Sequence, residues 1–100
     1  MIFKGALAGL VGVAGVVVVG NEDGAHHCIT EIGGALNDIG YTIPGQAWTY
    51  WNKGPGPGDE GWLTTDEREW SITTGHTAAR NLLATARALH ALPLPAPAQS

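Results

Sequence analysis

Residues 20–28, Gly-Asn-Glu-Asp-Gly-Ala-His-His-Cys, hold the densest group of chemically capable side chains in this 100-residue sequence. Two carboxylates, two imidazoles and the single thiol stand together between an apolar run and an amphipathic one. A metal would want imidazole and thiolate ligands converging on one point. Adjacent helical residues point about 100° apart, so His26, His27 and Cys28 cannot share one ion. His76 and His90 could join only by folding back, and no metal is expected. Nucleophilic catalysis has little support, because Ser71 and Ser100 are the only serines and neither sits in a nucleophile-elbow pattern. The acidic pairs Glu22-Asp23, Asp59-Glu60 and Asp66-Glu67 read more simply as loop and cap residues than as acid–base pairs. No G-x-G-x-x-G follows the valines and no Walker pattern is present. What remains is the turn. Gly20 and Gly24 permit close backbone approach, and the helix start behind them offers free N–H groups to a ligand. The plain alternative is a structural connection.

The elements that position this turn are legible from periodicity. Residues 13–19 end in four consecutive valines, which favour a strand. The absence of alternation predicts a strand covered on both faces, as in parallel sheets. Asp23 is a candidate N-cap for a helix over 25–39. In that helix Ala25, Cys28, Ile29, Ile32, Ala35, Leu36 and Ile39 form one apolar stripe, and Gly40 stands at its C-terminus. Gly33 and Gly34 weaken it, which close packing against a neighbour would explain. A second strand is predicted within 41–51, with its paired part at 47–50 after the interruption at Pro44-Gly45. Strand, helix and strand make one βαβ unit with a right-handed crossover. Residues 52–61, rich in Gly and Pro, are a loop. Thr64 and Glu67 fit a capping box for a last helix reaching about residue 92, perturbed at Gly75. Its buried face would be Ala78, Ala79, Leu82, Leu83, Ala86 and Leu89. The tail, 93–100, is proline-rich and expected to be disordered. The domain reading is therefore 1–92, with 1–12 an N-terminal lead-in, followed by the tail.

Bulk composition narrows the partners. The net charge is −4, and the five basic residues, Lys4, Lys53, Arg68, Arg80 and Arg87, are scattered, so no nucleic-acid footprint is expected. A single cysteine allows no intrachain disulfide and fits a reducing, cytoplasmic setting. Residues 5–20 carry no charge and resemble a signal peptide. They are short for a membrane span, which needs about 20 apolar residues. A buried strand is the reading preferred here, with no membrane partner. Four tryptophans, at 48, 51, 62 and 70, are expected as core or interface anchors.

The run "AGVVVVGNEDGAHH", followed by "ALNDIGYTIPGQAWTYW" and "TTGHTAARNLLATARAL", resembles the C-terminal half of the flavodoxin-like NAD(P)H-dependent FMN reductases. The resemblance spans about residues 13–92, and residues 20–27 are its most specific part. It implies an α/β fold, a flavodoxin-like parallel sheet flanked by helices, here truncated to its last two strands and last two helices. It implies FMN as cofactor and NAD(P)H as co-substrate. Gly20, Asn21, Glu22, Asp23, Gly24 and Ala25 would form the loop beside the flavin ring. One of Glu22 and Asp23 would accept from the ring N3–H, His26 or His27 would face the ring side, and Trp48, Tyr50 and Trp51 would wall the ring or meet another subunit. No residue is assigned as a catalytic acid or base. The family's phosphate-gripping loop after its first strand, and its flavin loop after the third, have no counterpart in this sequence.

Three functions follow as expectations. The first is an FMN-dependent NAD(P)H oxidoreductase, or a fragment of one. The second is a non-catalytic interaction module that dimerises through an exposed strand edge. The third is a small exported or membrane-anchored protein.

Overall fold

The computed structural model describes residues 2–3, 12–20, 22–53 and 61–96. Most of the 1–12 lead-in, Asn21, the Gly-Pro loop at 54–60 and the end of the tail, 97–100, lie outside the described residues. The elements in chain order are β1 (Ile2–Phe3), β2 (Val13–Ala14), β3 (Val16–Gly20), α1 (Ala25–Asp38), β4 (Trp48–Asn52) and α2 (Glu69–Ala91).

The valine run pairs in parallel with the aromatic strand, as expected for a βαβ unit. β3 and β4 align from Val16↔Trp48 to Gly20↔Asn52, with α1 as the crossover. Period-2 alternation then divides β4 between two layers. Thr49 and Trp51 face α2: the Thr49 hydroxyl lies 2.8 Å from the Ser71 carbonyl, and Trp51 meets Trp62 edge to face. Trp48, Tyr50 and Asn52 face α1: His26 packs against both rings, and Asn52 bonds Ala25. The fold is therefore an α/β arrangement, a two-stranded parallel sheet with a helix on each side. Its core is Val13, Ala14, Val16, Ala25, Ile29, Ala47, Trp51, Ala78 and Leu82.

Several local expectations change. The strand expected over 13–19 is broken at Gly15. A Cβ there would lie 2.9 Å from the Ala47 carbonyl oxygen, so the chain passes too close to Ala47 for a side chain. Before the break, β2 pairs antiparallel with β1 and bridges to Thr42, so the lead-in supplies a strand that periodicity did not reveal. The valines are not covered on both faces: Val17 is 59% and Val19 52% exposed. Among the described residues, nothing pairs with the second edge of β3. β4 runs two residues beyond the predicted 47–50 pairing and takes Asn52 out of the loop.

The helices differ mainly at their ends. Asp23 does not cap α1. Gly24 is the N-cap, in the left-handed region at φ 99°, and no side chain bonds from that position. α1 closes with Gly40, also at positive φ, whose N–H bonds Asn37 O while Tyr41 N–H bonds Leu36 O. Of the expected stripe, Ala25 and Ile29 are buried, whereas Ile39 is 73% exposed and Cys28, Ile32 and Ala35 are exposed. Cys28 is therefore not a core residue. Gly33 has only ordinary contact with Ile43, and Gly34 faces open space, so close packing does not account for the pair. The capping box at Thr64 does not form. The Thr64 hydroxyl accepts from Gly61 N–H within its own turn, Thr65 accepts from Glu67 N–H, and α2 starts at Glu69. α2 passes through Gly75 without a break. Its buried face is Ser71, Ala78 and Leu82, while Ala79 and Leu83 are exposed.

Candidate functional site

The loop from Gly20 to Ala25 lies at the carboxyl end of the parallel pair, where open α/β sheets place their ligands. Gly20 ends β3 in register with Asn52, and its carbonyl accepts from Lys53 N–H at 3.2 Å. Glu22 and Asp23 are exposed. Asn21 lies outside the described residues. Gly24 has nothing within 4 Å of where a Cβ would sit, so its surface is open to a ligand. Ala25 is buried and begins α1.

The loop is held by a residue that sequence reasoning assigned to a loop. The Asn52 Oδ1 accepts from Ala25 N–H at 3.2 Å, so the end of β4 caps the helix that follows β3. Because the backbone there donates, the atom facing Ala25 must be the oxygen, and the Asn52 amide NH₂ points elsewhere. The signal that could have found Asn52 is register: it is the last β4 residue opposite Gly20. By helix geometry, the amides of His26 and His27 emerge from the same end of α1.

The aromatic residues are divided by the strand's alternation. His26 lies 5.5 Å from both Trp48 and Tyr50, and Tyr50 lies 5.0 Å from Trp70. These rings form a continuous cluster, edge to face at His26–Trp48 and Tyr50–Trp70 and tilted at His26–Tyr50. Trp51, grouped with Trp48 and Tyr50 on sequence, is instead buried on the α2 face against Trp62. His27 turns away to the surface, where its Nε2 lies 3.6 Å from the exposed Glu31 carboxylate. A groove of about 500 Å³, lined by Gln46, Trp48, Trp70 and Thr74, opens along β4. Gln46 sits there at φ 54°, the non-glycine residue with a positive φ among those described.

Among the described residues there is no group of three or more His, Cys, Asp or Glu side chains able to hold a metal ion. Nor is any described helix long and apolar enough to cross a membrane. Of the described basic residues, Lys53 adjoins the loop through its N–H bond to the Gly20 carbonyl, Arg68 bonds the Trp62 carbonyl and stacks over its ring, and Arg80 and Arg87 lie on α2.

No family model matches the chain. A 48-residue stretch, 46% of this chain, is 46% identical to 8-demethyl-8-aminoriboflavin-5'-phosphate synthase of Streptomyces davaonensis, of which it covers 19%. A 45-residue stretch, 43% of this chain, is 47% identical to the divalent metal cation transporter MntH of Mycobacterium bovis, of which it covers 7%. Among solved structures, the chain is similar to RosB with its bound intermediate 8-demethyl-8-formylriboflavin-5'-phosphate. That likeness has a TM-score of 0.73 at 30% identity, over 83% of this chain and 33% of RosB. The chain thus spans under a fifth of the curated relatives and about a third of the solved structure. The two-stranded parallel sheet flanked by helices is a portion of a flavodoxin-like, flavin-enzyme fold.

Proposed function

We propose that Gly20, Asn21, Glu22, Asp23, Gly24 and Ala25 form the ring-side wall of a site for a flavin 5'-phosphate of the FMN class. The chain would be part of an oxidoreductase similar to the flavodoxin-like NAD(P)H-dependent FMN reductases. The observation that carries this reading is the likeness to RosB, solved with a bound riboflavin 5'-phosphate derivative, joined to the position of the loop at the strands' carboxyl ends. The residues fit the ring. Gly24 leaves room for a flat ligand against the backbone. The first amides of α1 offer donors for ring carbonyls and stabilise negative charge. The carboxylate of Glu22 or Asp23 can accept from the ring N3–H. A bound flavin supplies the hydride-accepting chemistry, with NAD(P)H as donor, and these residues bind and orient it.

The fit stops at the phosphate. The proposal concerns the ring alone: among the described basic residues it is Lys53 that stands beside the loop, its N–H bonding the Gly20 carbonyl. A titration of the purified chain with FMN and with riboflavin, followed by quenching of flavin fluorescence, tests both halves of the reading. The two ligands are expected to bind within about threefold of each other, a difference below about 1 kcal/mol. A large preference for FMN would place a phosphate grip on this chain. A folded chain that quenches neither flavin would sink the proposal.

A further inference from the structure

We propose that the side-chain amide of Asn52 does two things at once: it caps α1 through Oδ1, and through Nδ2 it donates to a carbonyl oxygen on the pyrimidine edge of a bound flavin. The inference rests on the flavin reading of residues 20–25 and adds to it a side chain from the neighbouring strand. Asn52 is the last paired residue of β4, opposite Gly20, so it stands at the carboxyl end of the sheet where the loop begins. Open α/β sheets bind their ligands at that end. The oxygen is committed, because Oδ1 accepts from Ala25 N–H at 3.2 Å. A primary amide is planar, so fixing the oxygen also fixes the nitrogen beside it. Nδ2 carries two N–H donors and has no hydrogen-bond partner among the described residues. The side chain is half-buried, and a donor held that way costs free energy until something accepts from it.

The chemistry of the flavin edge matches what the chain offers. That edge presents an acceptor, a donor and an acceptor: C2=O, N3–H and C4=O. A complementary wall needs a donor, an acceptor and a donor. Glu22 or Asp23, both exposed in the loop, is the acceptor. The opening amides of α1 are one donor, and the Asn52 Nδ2 is the other. Gly24, with nothing within 4 Å of where a Cβ would sit, leaves the approach open. The cap by itself does not require an amide, because an aspartate in that place would accept from Ala25 N–H and suit the helix dipole. An ionised aspartate has no proton to donate, and it would add a third carboxylate to a loop that already holds Glu22 and Asp23. The amide is the side chain that can accept from the helix and donate to an oxygen of the ring.

Calorimetric titration of the full chain with riboflavin, 2-thioriboflavin and 4-thioriboflavin tests it, because a thiocarbonyl sulfur accepts a hydrogen bond poorly. The wild type is expected to bind riboflavin, and Asn52→Asp to bind it at least about tenfold more weakly, with an unfolding midpoint at or above wild type. One of the two thio analogues is expected to bind the wild type less tightly than riboflavin does. That penalty is expected to vanish in Asn52→Asp, a coupling that a merely structural role would not produce. Should Asn52→Asp unfold, Asn52→Ser keeps a capping oxygen without the amide and is read in the same way. Equal riboflavin binding by the wild type and the variant would overturn this inference and leave the flavin reading standing. So would thio penalties of the same size in both. A folded wild type that binds no riboflavin would remove the flavin reading itself, and this inference with it.

Discussion

At the scale of single residues, Asn52 does more than its place in the sequence suggests. Its side-chain oxygen takes the N–H of the buried Ala25, one of the donors that every helix start leaves without an intrahelical partner. Asn52→Ala is expected to cost about 1 kcal/mol in urea unfolding, the usual size of a lost cap. Asn52→Asp retains the acceptor and adds a charge that suits the helix dipole, so its stability should stay at or above wild type. Equal losses from both substitutions would show that the hydrogen bond is not what matters. Gln46 is the opposite case, a residue held against its preference. Ala47 N–H bonds Pro44 O across a tight turn that needs positive φ at its third residue, and the glycine stands one position too early, at 45. The Asn81 side chain pins this turn through the Gly45 carbonyl at 2.6 Å. Gln46→Gly is expected to stabilise by about 1 kcal/mol, read as a higher denaturation midpoint at unchanged m-value.

At the scale of elements, each helix depends on a few contacts. α2 is anchored to β4 by Thr49, whose hydroxyl meets the Ser71 carbonyl and the Thr74 hydroxyl, and by Leu82, which is fully buried and lies near Gly15. Leu82→Ala is expected to cost about 2–5 kcal/mol, because it empties a site that the close-packed backbone at Gly15 and Ala47 cannot collapse to fill. Small domains have only about 5–15 kcal/mol in total, so this change should unfold much of the chain at 37 °C, measured by thermal melt. Loss of less than about 1 kcal/mol would mean that α2 is not part of the same cooperative unit. α1 fully buries Ala25 and Ile29 and half-buries Leu36, while Cys28, Ile32, Ala35 and Ile39 of its stripe are exposed. Its attachment comes as much from its two ends, the Asn52 cap and the Gly40 turn, as from its face.

At the scale of the whole molecule, the chain is extended for its length. Its radius of gyration is 15.8 Å, against about 13 Å for a compact 100-residue domain. Apolar surface at Val17, Val19, Ile32, Ile39, Trp70 and Ile72 remains open to solvent. The chain matches 33% of RosB, the solved structure it resembles. Flavin titration addresses this scale, because it asks whether the carboxyl end of the sheet holds a ring.

The sequence by itself determined the local elements. Consecutive valines, the glycine-bracketed turn, the 3.6-residue stripe and the glycine at position 40 specify a βαβ unit, because each depends on neighbours within a few residues. The fold class was legible for that reason, and so was the position of the candidate loop at the end of β3. Tertiary structure decided everything that depends on distant partners. Asp23 had the right chemistry for a cap, yet the cap came from Asn52, 27 residues away, through strand register. Thr64 had the right spacing for a capping box, yet its hydroxyl closed its own turn. The valines had the pattern of a doubly covered strand, yet burial requires a covering layer, and hydrophobicity shows only that a strand can be buried. Whether it is buried is set by what packs against it.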